Sequence, residues 1–218
     1  MRASEQVLDR AWTAIRDLES QSDGEPVEAA QVELLELYVR HRPDHALARY
    51  LLGKALRELG RHEESVVELR ASSELDAEDD DEHDDTILVH LALSLNEAGR
   101  WDEAEQTYAQ ACEVPDNAEL GYVWSLRAAN LIQLERWDEA AKYLIHAQRL
   151  PECDQDEAGL LLGKVYIAQQ RYDQAKVCLQ KVRDRDPEDT EAATLLESLE
   201  WVRRNASLID ELRRQSVS

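Results

Sequence analysis

A five-residue pattern that returns along the chain limits its fold more than any other feature of the sequence. Residues 100–104 read Arg-Trp-Asp-Glu-Ala, and residues 136–140 repeat this pattern letter for letter. Looser copies begin at Arg61 and Arg171, so the four starts lie 39, 36 and 35 residues apart. A helical pattern with such a period is typical of a stacked repeat protein, in which each unit packs on its neighbours. The sequence therefore predicts an array of units rather than one globular core.

Each copy of the pattern follows one helical segment and begins another. In residues 85–113, Leu88 and Leu91 begin a series of apolar residues at steps of three and four, which is one face of a helix. Gly99 is placed to end that helix in a left-handed conformation. The second helix carries small residues on one face, which lets the two helices approach closely. We expect burial at the helix crossings of the alanines that end the pattern, namely Ala104, Ala140 and Ala175.

These helical pairs resemble the units of the tetratricopeptide repeat (TPR) family, whose 34-residue repeat is a helix–turn–helix. The small residue of the family's first helix is matched by Gly53, Ala92, Ala128 and Gly163. Four units are in register, and they cover residues 46–79, 85–118, 121–154 and 156–189. The resemblance implies an all-α fold, a right-handed superhelical array of antiparallel helix pairs that forms a TPR-like α-solenoid.

The chain departs from the family pattern in three ways. Ser65 stands where the second helix of the first unit normally has Ala, and Arg127 stands where the third unit should have Leu. We expect the helix that carries Arg127 to rotate or to expose its first turn. The four units are separated by five, two and one additional residues, so we expect an uneven bend.

The two ends of the chain extend the same pattern. Residues 1–45 predict a degenerate N-terminal helix pair joined by a polar turn at 20–25. Residues 190–218 predict a C-terminal capping helix and tail, since a terminal repeat needs a polar outer face. Within that tail, apolar residues at 208–212 could lengthen the helix or form another, and we expect the last residues to fray.

Charge and composition exclude several classes of partner. The chain has 47 acidic and 25 basic residues, a formal charge of −22 that repels nucleic acid and anionic lipid. No apolar run approaches 18 residues, so we expect no membrane insertion. The N-terminus does not resemble a signal peptide, and three cysteines without a metal-binding spacing suggest a reducing compartment. We therefore expect a cytoplasmic protein, whose acidity could reflect either a salt-loving source or a GC-rich genome.

No motif indicates catalysis, a cofactor or a metal. The acidic run 76–85 has eight acids in ten residues but lacks the Gly turn of a calcium loop. We expect an exposed connection without a specific metal there, with a docking loop for a basic partner as an alternative. Cys112, Cys178 and His146 fall near packing faces, and His62 replaces an aromatic residue, so we expect structural roles for them. The chain is expected not to be an enzyme.

The family resemblance places a binding groove on the concave face, which the first helices line. The groove residues that it implies are Tyr50, Lys54, Arg57, His90, Asn96, Tyr122, Ser125, Gln133 and Lys164. We expect a protein–protein interaction scaffold that holds a peptide or a partner helix there, with Lys54, Arg57, Asn96 and Lys164 as polar contacts. Such a groove suits an acidic segment or a free C-terminal carboxylate. Lys54 occupies the place of a clamp Asn in the family's chaperone-tail binders, so that specific activity is not supported. The alternative is a structural repeat protein that associates with itself.

Overall fold

The chain folds into helices in every part that can be described. The structure is a computed structural model of the whole chain, and it describes residues 5–21, 29–76 and 86–205. No strand occurs in these three ranges, so the predicted all-α fold class is confirmed. The helices are α1 (Glu5–Gln21), α2 (Ala29–His41), α3 (Ala46–Glu58), α4 (His62–Asp76), α5 (Ile87–Glu97), α6 (Trp101–Ala111), α7 (Pro115–Ala118), α8 (Gly121–Gln133), α9 (Trp137–Ala147), α10 (Gln155–Ala168), α11 (Tyr172–Arg185) and α12 (Thr190–Arg204).

The chain divides into two compact units, residues 1–118 and 119–218. In the first unit, α3 packs on α4 and α5 packs on α6, while α1 and α2 form a further pair against α3. In the second unit, α8 packs on α9 and α10 packs on α11, and α12 covers α11. Each unit is therefore built from consecutive helix pairs. The one-turn helix α7 at the end of the first unit was not predicted, although Pro115 suits the first position of a helix.

Small side chains fill the helix crossings. Ala104, Ala140 and Ala175 are each completely buried, as the repeat register predicts. Ser65, which replaces the usual Ala of the first unit, is also completely buried. Its hydroxyl donates a hydrogen bond to the Gly53 carbonyl at 2.6 Å, and its oxygen lies 2.8 Å from Ser94 Oγ. The buried hydroxyl is therefore satisfied, which explains why this crossing accepts a polar residue.

The turn inside each helix pair has the same backbone geometry four times. A residue with positive φ precedes each Arg of the repeated pattern: Gly60 (74°), Gly99 (74°), Glu135 (56°) and Gln170 (60°). The N–H of the following Arg then donates to the carbonyl five residues earlier, as from Arg100 to Leu95 at 2.8 Å. This bond closes the helix end in a Schellman-type turn. The left-handed stop predicted at Gly99 is thus confirmed. At two of the equivalent positions the residue is not glycine but Glu135 or Gln170.

Glu135 offers a test of this turn. We expect Glu135→Gly to raise the free energy of unfolding by about 0.5–1 kcal/mol, because a residue with a Cβ is strained at φ 56° and Gly is not. Urea unfolding measures the change. Glu135→Ala is the control, since it removes the carboxylate but keeps the Cβ, and it should bring no gain. Equal gains in both variants would mean that charge, and not backbone strain, limits stability at this turn.

The Arg of the repeated pattern holds the start of each second helix. Its guanidinium forms two hydrogen bonds with the Glu three residues later, at 2.6–2.8 Å, in the pairs Arg61–Glu64, Arg100–Glu103 and Arg136–Glu139. These bonds hold the pKa of each of the three carboxyl groups below its ordinary value. In the last copy Gln174 takes the place of the Glu and accepts from Arg171. The pattern that identifies the repeat is therefore a structural device.

Some sequence-based expectations fall outside the described residues. These are the connection at 79–85 and its lack of a metal, and the apolar residues at 208–212 with the fraying of the tail. The polar turn expected at 20–25 begins later than expected, because α1 continues to Gln21, and the remainder of that turn is also outside the described residues.

Candidate functional site

The first-helix face of the first unit brings three of the expected groove residues together. Tyr50 is 5% exposed, and its hydroxyl lies 2.9 Å from Thr86 Oγ1. The Tyr50 ring meets His90 edge-on with 5.5 Å between ring centroids. The Lys54 Nζ lies 5.1 Å from the centre of the same ring, which places a cation over an aromatic face. Among the described residues, no carboxylate forms an ion pair with Lys54. Tyr50 therefore serves as a buried support for a half-buried cation.

Arg57 continues this face one turn beyond Lys54. Its Nη1 lies 3.1 Å from Glu97 Oε1, and the other oxygen of Glu97 lies 3.2 Å from His62 Nδ1. Glu97 thus joins Arg57 at the end of α3 to His62 at the start of α4. Asn96, the residue before Glu97, is half-buried on α5. A ligand carboxylate at Arg57 would have to share this guanidinium with Glu97.

The first-helix face of the second unit is less uniform. Tyr122 is half-buried and Gln133 is exposed, but Ser125 is only 8% exposed, with Oγ 3.9 Å from Cys153 Sγ. Ser125 therefore packs towards the loop after α9 and offers little surface to a ligand. Lys164 is half-buried, and its Nζ lies 2.8 Å from Glu191 Oε1 on α12. The cation expected to contact a ligand is already paired there.

A second concave surface, which the sequence did not predict, lies on the second-helix side of the second unit. We call it the α9 pocket. It has a volume of about 650 Å³ and is lined by Trp124, Asp138, Ala141, Lys142, Tyr143, Ile145, His146, Arg149, Tyr166 and Arg171. Most of these residues belong to α9, while Trp124 comes from α8 and Tyr166 from α10. The surface therefore combines aromatic walls with basic groups.

Charge distinguishes the α9 pocket from the rest of this acidic chain. Lys142, Arg149 and Arg171 face one acid, Asp138, whose carboxylate accepts a hydrogen bond from Gln169 at 2.7 Å. Arg171 bonds to the side chains of Gln169 and Gln174. In the part of the chain that the structure describes, none of the three bases forms an ion pair. The pocket is locally basic although the chain carries a formal charge of −22.

Arg127, which replaces the Leu of the family pattern, stacks on two aromatic residues that line this pocket. Its guanidinium carbon lies 4.4 Å from the centre of the Tyr143 ring and 5.9 Å from that of Trp124. Trp124 in turn contacts Tyr143 and His146, with ring centroids 5.3 and 4.7 Å apart. Arg127 is half-buried in this stack, which accommodates a cation where the family has an aliphatic side chain. The expected exposure of the first turn of α8 is not found, since Gly121 and Val123 there are buried.

The three cysteines are free thiols. Cys112 is buried, and burial raises the pKa of the Cys153 and Cys178 thiols, so the thiolate nucleophile is disfavoured at both. Within the described ranges, no three His, Cys, Asp or Glu residues are grouped so that they could hold a metal ion. The described surfaces can recognise a ligand by charge, hydrogen bonds and apolar contact.

Consecutive helix pairs with small residues at their crossings and a shared turn geometry define a helical-repeat protein. Three family models, each described as a tetratricopeptide repeat, match residues 27–77, 87–116 and 131–199. Together these segments make up well over half of the chain, so it belongs to the tetratricopeptide repeat family. No curated protein matches the sequence.

Solved structures share this fold at low sequence identity. A tetratricopeptide repeat protein from Parabacteroides merdae is 17% identical, covers 96% of this chain over 78% of its own length, and has a TM-score of 0.73. MamA from Desulfovibrio magneticus is 14% identical with a TM-score of 0.70, over 86% of this chain and 100% of that one. YrrB, described as a TPR protein with an unusual peptide-binding site, is 14% identical with a TM-score of 0.67, over 88% and 91%.

None of the described helices is both long enough and apolar enough to cross a bilayer.

Proposed function

We propose that this protein is an interaction scaffold whose first-helix face binds an extended peptide or a partner helix. Family membership supports the general role, because stacked helical repeats present extended surfaces to other proteins. YrrB is described as having a peptide-binding site, and a TPR domain of RPAP3 with a TM-score of 0.51 is described as bound to an HSP90 peptide. At 14% and 19% identity these likenesses support the fold, and the binding face of this chain is argued from its own residues.

The observation that carries the proposal is the Lys54 ammonium over the Tyr50 ring. A cation held over an aromatic face keeps its position without a carboxylate partner, so it remains able to bind a ligand anion. Arg57 lies three residues later on the same face of α3. A carboxylate or a backbone carbonyl of a bound segment could contact both side chains. Leu93, which is half-buried on α5, would supply the apolar part of the contact.

Capture of a partner from the native host tests this function. The chain is immobilised, bound proteins are identified, and the capture is repeated with Lys54→Glu plus Lys164→Glu. We expect the double variant to lose the partner, because Lys54→Glu places an acid where a ligand acid would bind and Lys164→Glu tests whether the expected contact at 164 contributes despite its pairing with Glu191. The control is Lys176→Glu plus Lys181→Glu, which makes the same change of charge at two exposed positions of α11. Circular dichroism confirms that both variants remain helical.

Two results would contradict the proposed face. Capture that survives the change at Lys54 and Lys164 would place the partner elsewhere on the chain. Equal loss in the Lys176 and Lys181 control would show that total charge, and not this face, governs binding.

Self-association is the second candidate, and exposed apolar residues near the C-terminal end favour it. Trp201 on α12 is 58% exposed and Val177 on α11 is 56% exposed. Sedimentation velocity over a wide range of concentrations separates a monomer from an oligomer. A monomer at all concentrations would exclude this candidate, and an oligomer that Trp201→Ser dissociates would support it.

A further inference from the structure

We propose that the α9 pocket is a second binding site, which takes an acidic segment of a partner protein with an apolar side chain between two carboxylates. This site is separate from the first-helix face and uses different residues. It does not depend on the proposed function of that face.

The spacing of Lys142 and Arg149 defines the ligand. Lys142 and Ile145 lie on α9 and Arg149 lies in the turn that follows it, at steps of three and four residues. The Gln148 and Arg149 N–H groups donate to the Leu144 and His146 carbonyls, so helical bonding continues through this turn and the three residues form one stripe. The two bases are seven positions apart, which corresponds to about 10 Å along the helix axis. An extended segment advances about 3.3 Å per residue, so acids three positions apart match this distance. The segment then places a carboxylate at each base.

The apolar part of the ligand is defined by the residues between these bases. Ile145 lies on the stripe itself, and Trp124 and Tyr166 line the same pocket. Trp124 is fixed by its ring contacts with Tyr143 and His146, so its indole is a rigid wall. Such a wall binds an aliphatic side chain with little loss of conformational entropy. A leucine or isoleucine between the two acids is therefore the expected anchor.

The bases of the α9 pocket are available in a way that those of a comparable groove in the first unit are not. That groove is lined by Arg40, Arg49 and Arg61. Two of those three are already neutralised, since Arg49 pairs with Glu68 and Arg61 pairs with Glu36 and Glu64. The α9 pocket has no such pairs among the described residues. Its one acid, Asp138, is engaged by Gln169.

The charge of the whole chain sets how such a ligand is recognised. A formal charge of −22 repels an acidic segment at long range, so association is slow and its rate rises with salt. Attraction begins only at contact, where each base forms a charge-assisted hydrogen bond with a carboxylate. Losing one such bond weakens binding by about tenfold or more. The site therefore discriminates strongly between a charged segment and its neutral analogue.

A synthetic peptide tests the proposal on the full chain. The probe is an acetylated and amidated peptide, Ser-Asp-Leu-Ser-Glu-Ser, whose acids lie three positions apart around a leucine. Its control replaces the acids by Asn and Gln. Binding is followed by NMR of the indole N–H groups, because the chain has five Trp and only Trp124 lines this pocket. The Trp124 signal is assigned with Trp124→Phe. We expect the acidic peptide to shift this signal in a saturable way and the neutral peptide to leave it unchanged.

Charge-reversal variants locate the contact. Lys142→Glu plus Arg149→Glu should lower the affinity for the acidic peptide by at least about a hundredfold, since two such bonds are lost. Lys54→Glu plus Lys164→Glu should leave its affinity unchanged, and so should the control at Lys176 and Lys181. A Trp124 signal that does not respond would overturn the proposal, as would binding that the Lys142 and Arg149 change does not weaken. Loss of binding only with the Lys54 and Lys164 change would overturn it in favour of the first-helix face. Oligomers that the acidic peptide dissociates would identify a second copy of the chain as an occupant, in place of a separate partner.

Discussion

Leu179→Ala is expected to lower the free energy of unfolding by roughly 3–5 kcal/mol. Leu179 is completely buried in the core of the second unit, on α11, and it faces Gly163 of α10. A Cβ placed on Gly163 would lie 2.6 Å from Leu179 Cδ2 and 2.8 Å from Cγ, so the leucine occupies the space that a side chain at 163 would take. Truncating Leu179 therefore leaves a cavity between α10 and α11. Collapse cannot close it from α10, since glycine has no side chain.

A second substitution, Gly163→Ala, shows whether this contact or a general loss of core packing explains the effect of Leu179→Ala. Gly163→Ala alone should destabilise the protein by about 1–2 kcal/mol, because its methyl group meets Leu179. In the Leu179→Ala background the same change should instead stabilise by about 1 kcal/mol, since the methyl enters the cavity and Ala favours a helix over Gly. A double-mutant cycle by urea unfolding measures both values. If Gly163→Ala has the same sign in both backgrounds, the two residues do not share this space.

Gly121→Ala should lower the free energy of unfolding by about 2–3 kcal/mol, more than an alanine at either of the other glycines of the second unit. The added Cβ would lie 2.5 Å from Cys153 Cβ, 2.8 Å from the Ala147 carbonyl oxygen and 2.9 Å from that of Pro151, and the two carbonyl oxygens are backbone atoms that cannot turn away. The Gly121 N–H also donates to the Pro151 carbonyl at 2.8 Å, so movement that relieves the clash breaks this bond. Thermal unfolding followed by circular dichroism measures the loss.

Gly159→Ala is the matched control for this prediction. Its Cβ would meet only side-chain atoms, Val182 Cγ2 at 2.8 Å and the Arg185 guanidinium at 3.6 Å. The Arg185 guanidinium can move aside and the buried Val182 must shift slightly, but a mid-helix Ala is favoured over Gly by roughly 1 kcal/mol, which offsets this overpacking. The net change should therefore stay within about 1 kcal/mol. Similar losses in Gly121→Ala and Gly159→Ala would show that the carbonyl contacts at Gly121 are not the cause.

The fold could be predicted from the sequence at positions that accept only one kind of residue. Ala140 and its equivalents had to be small because two helices cross there, and Gly99 had to be a stop because few residues tolerate positive φ. Glu135 and Gln170 adopt the same conformation without any such signal. Their strain is accepted because the surrounding turn, repeated in each pair, leaves them no alternative.

The candidate site was harder to predict because its properties depend on pairs of side chains from different helices. Repeat register places Lys164 on the expected face, but it cannot show that Glu191 neutralises it. In the same way, Arg127 could be recognised as a departure from the family pattern, whereas its stacking on Tyr143 could not. Lys142, Ile145 and Arg149 stand at helical spacing in the sequence. What gives this stripe importance is that neither base forms an ion pair in the described residues, which only the folded chain shows.

The shared turn geometry also bears on how such a chain can change its length. Glu135–Arg136 and Gln170–Arg171 close their helices with the same left-handed residue and the same backbone bond. A segment that runs from one of these turns to the next, such as residues 136–170, therefore begins and ends at turns of the same geometry. Copying or removing that segment preserves every turn and changes only the number of helices. We therefore expect insertions and deletions at this point to be tolerated as whole segments, while a change of a few residues should shift all later helices out of register.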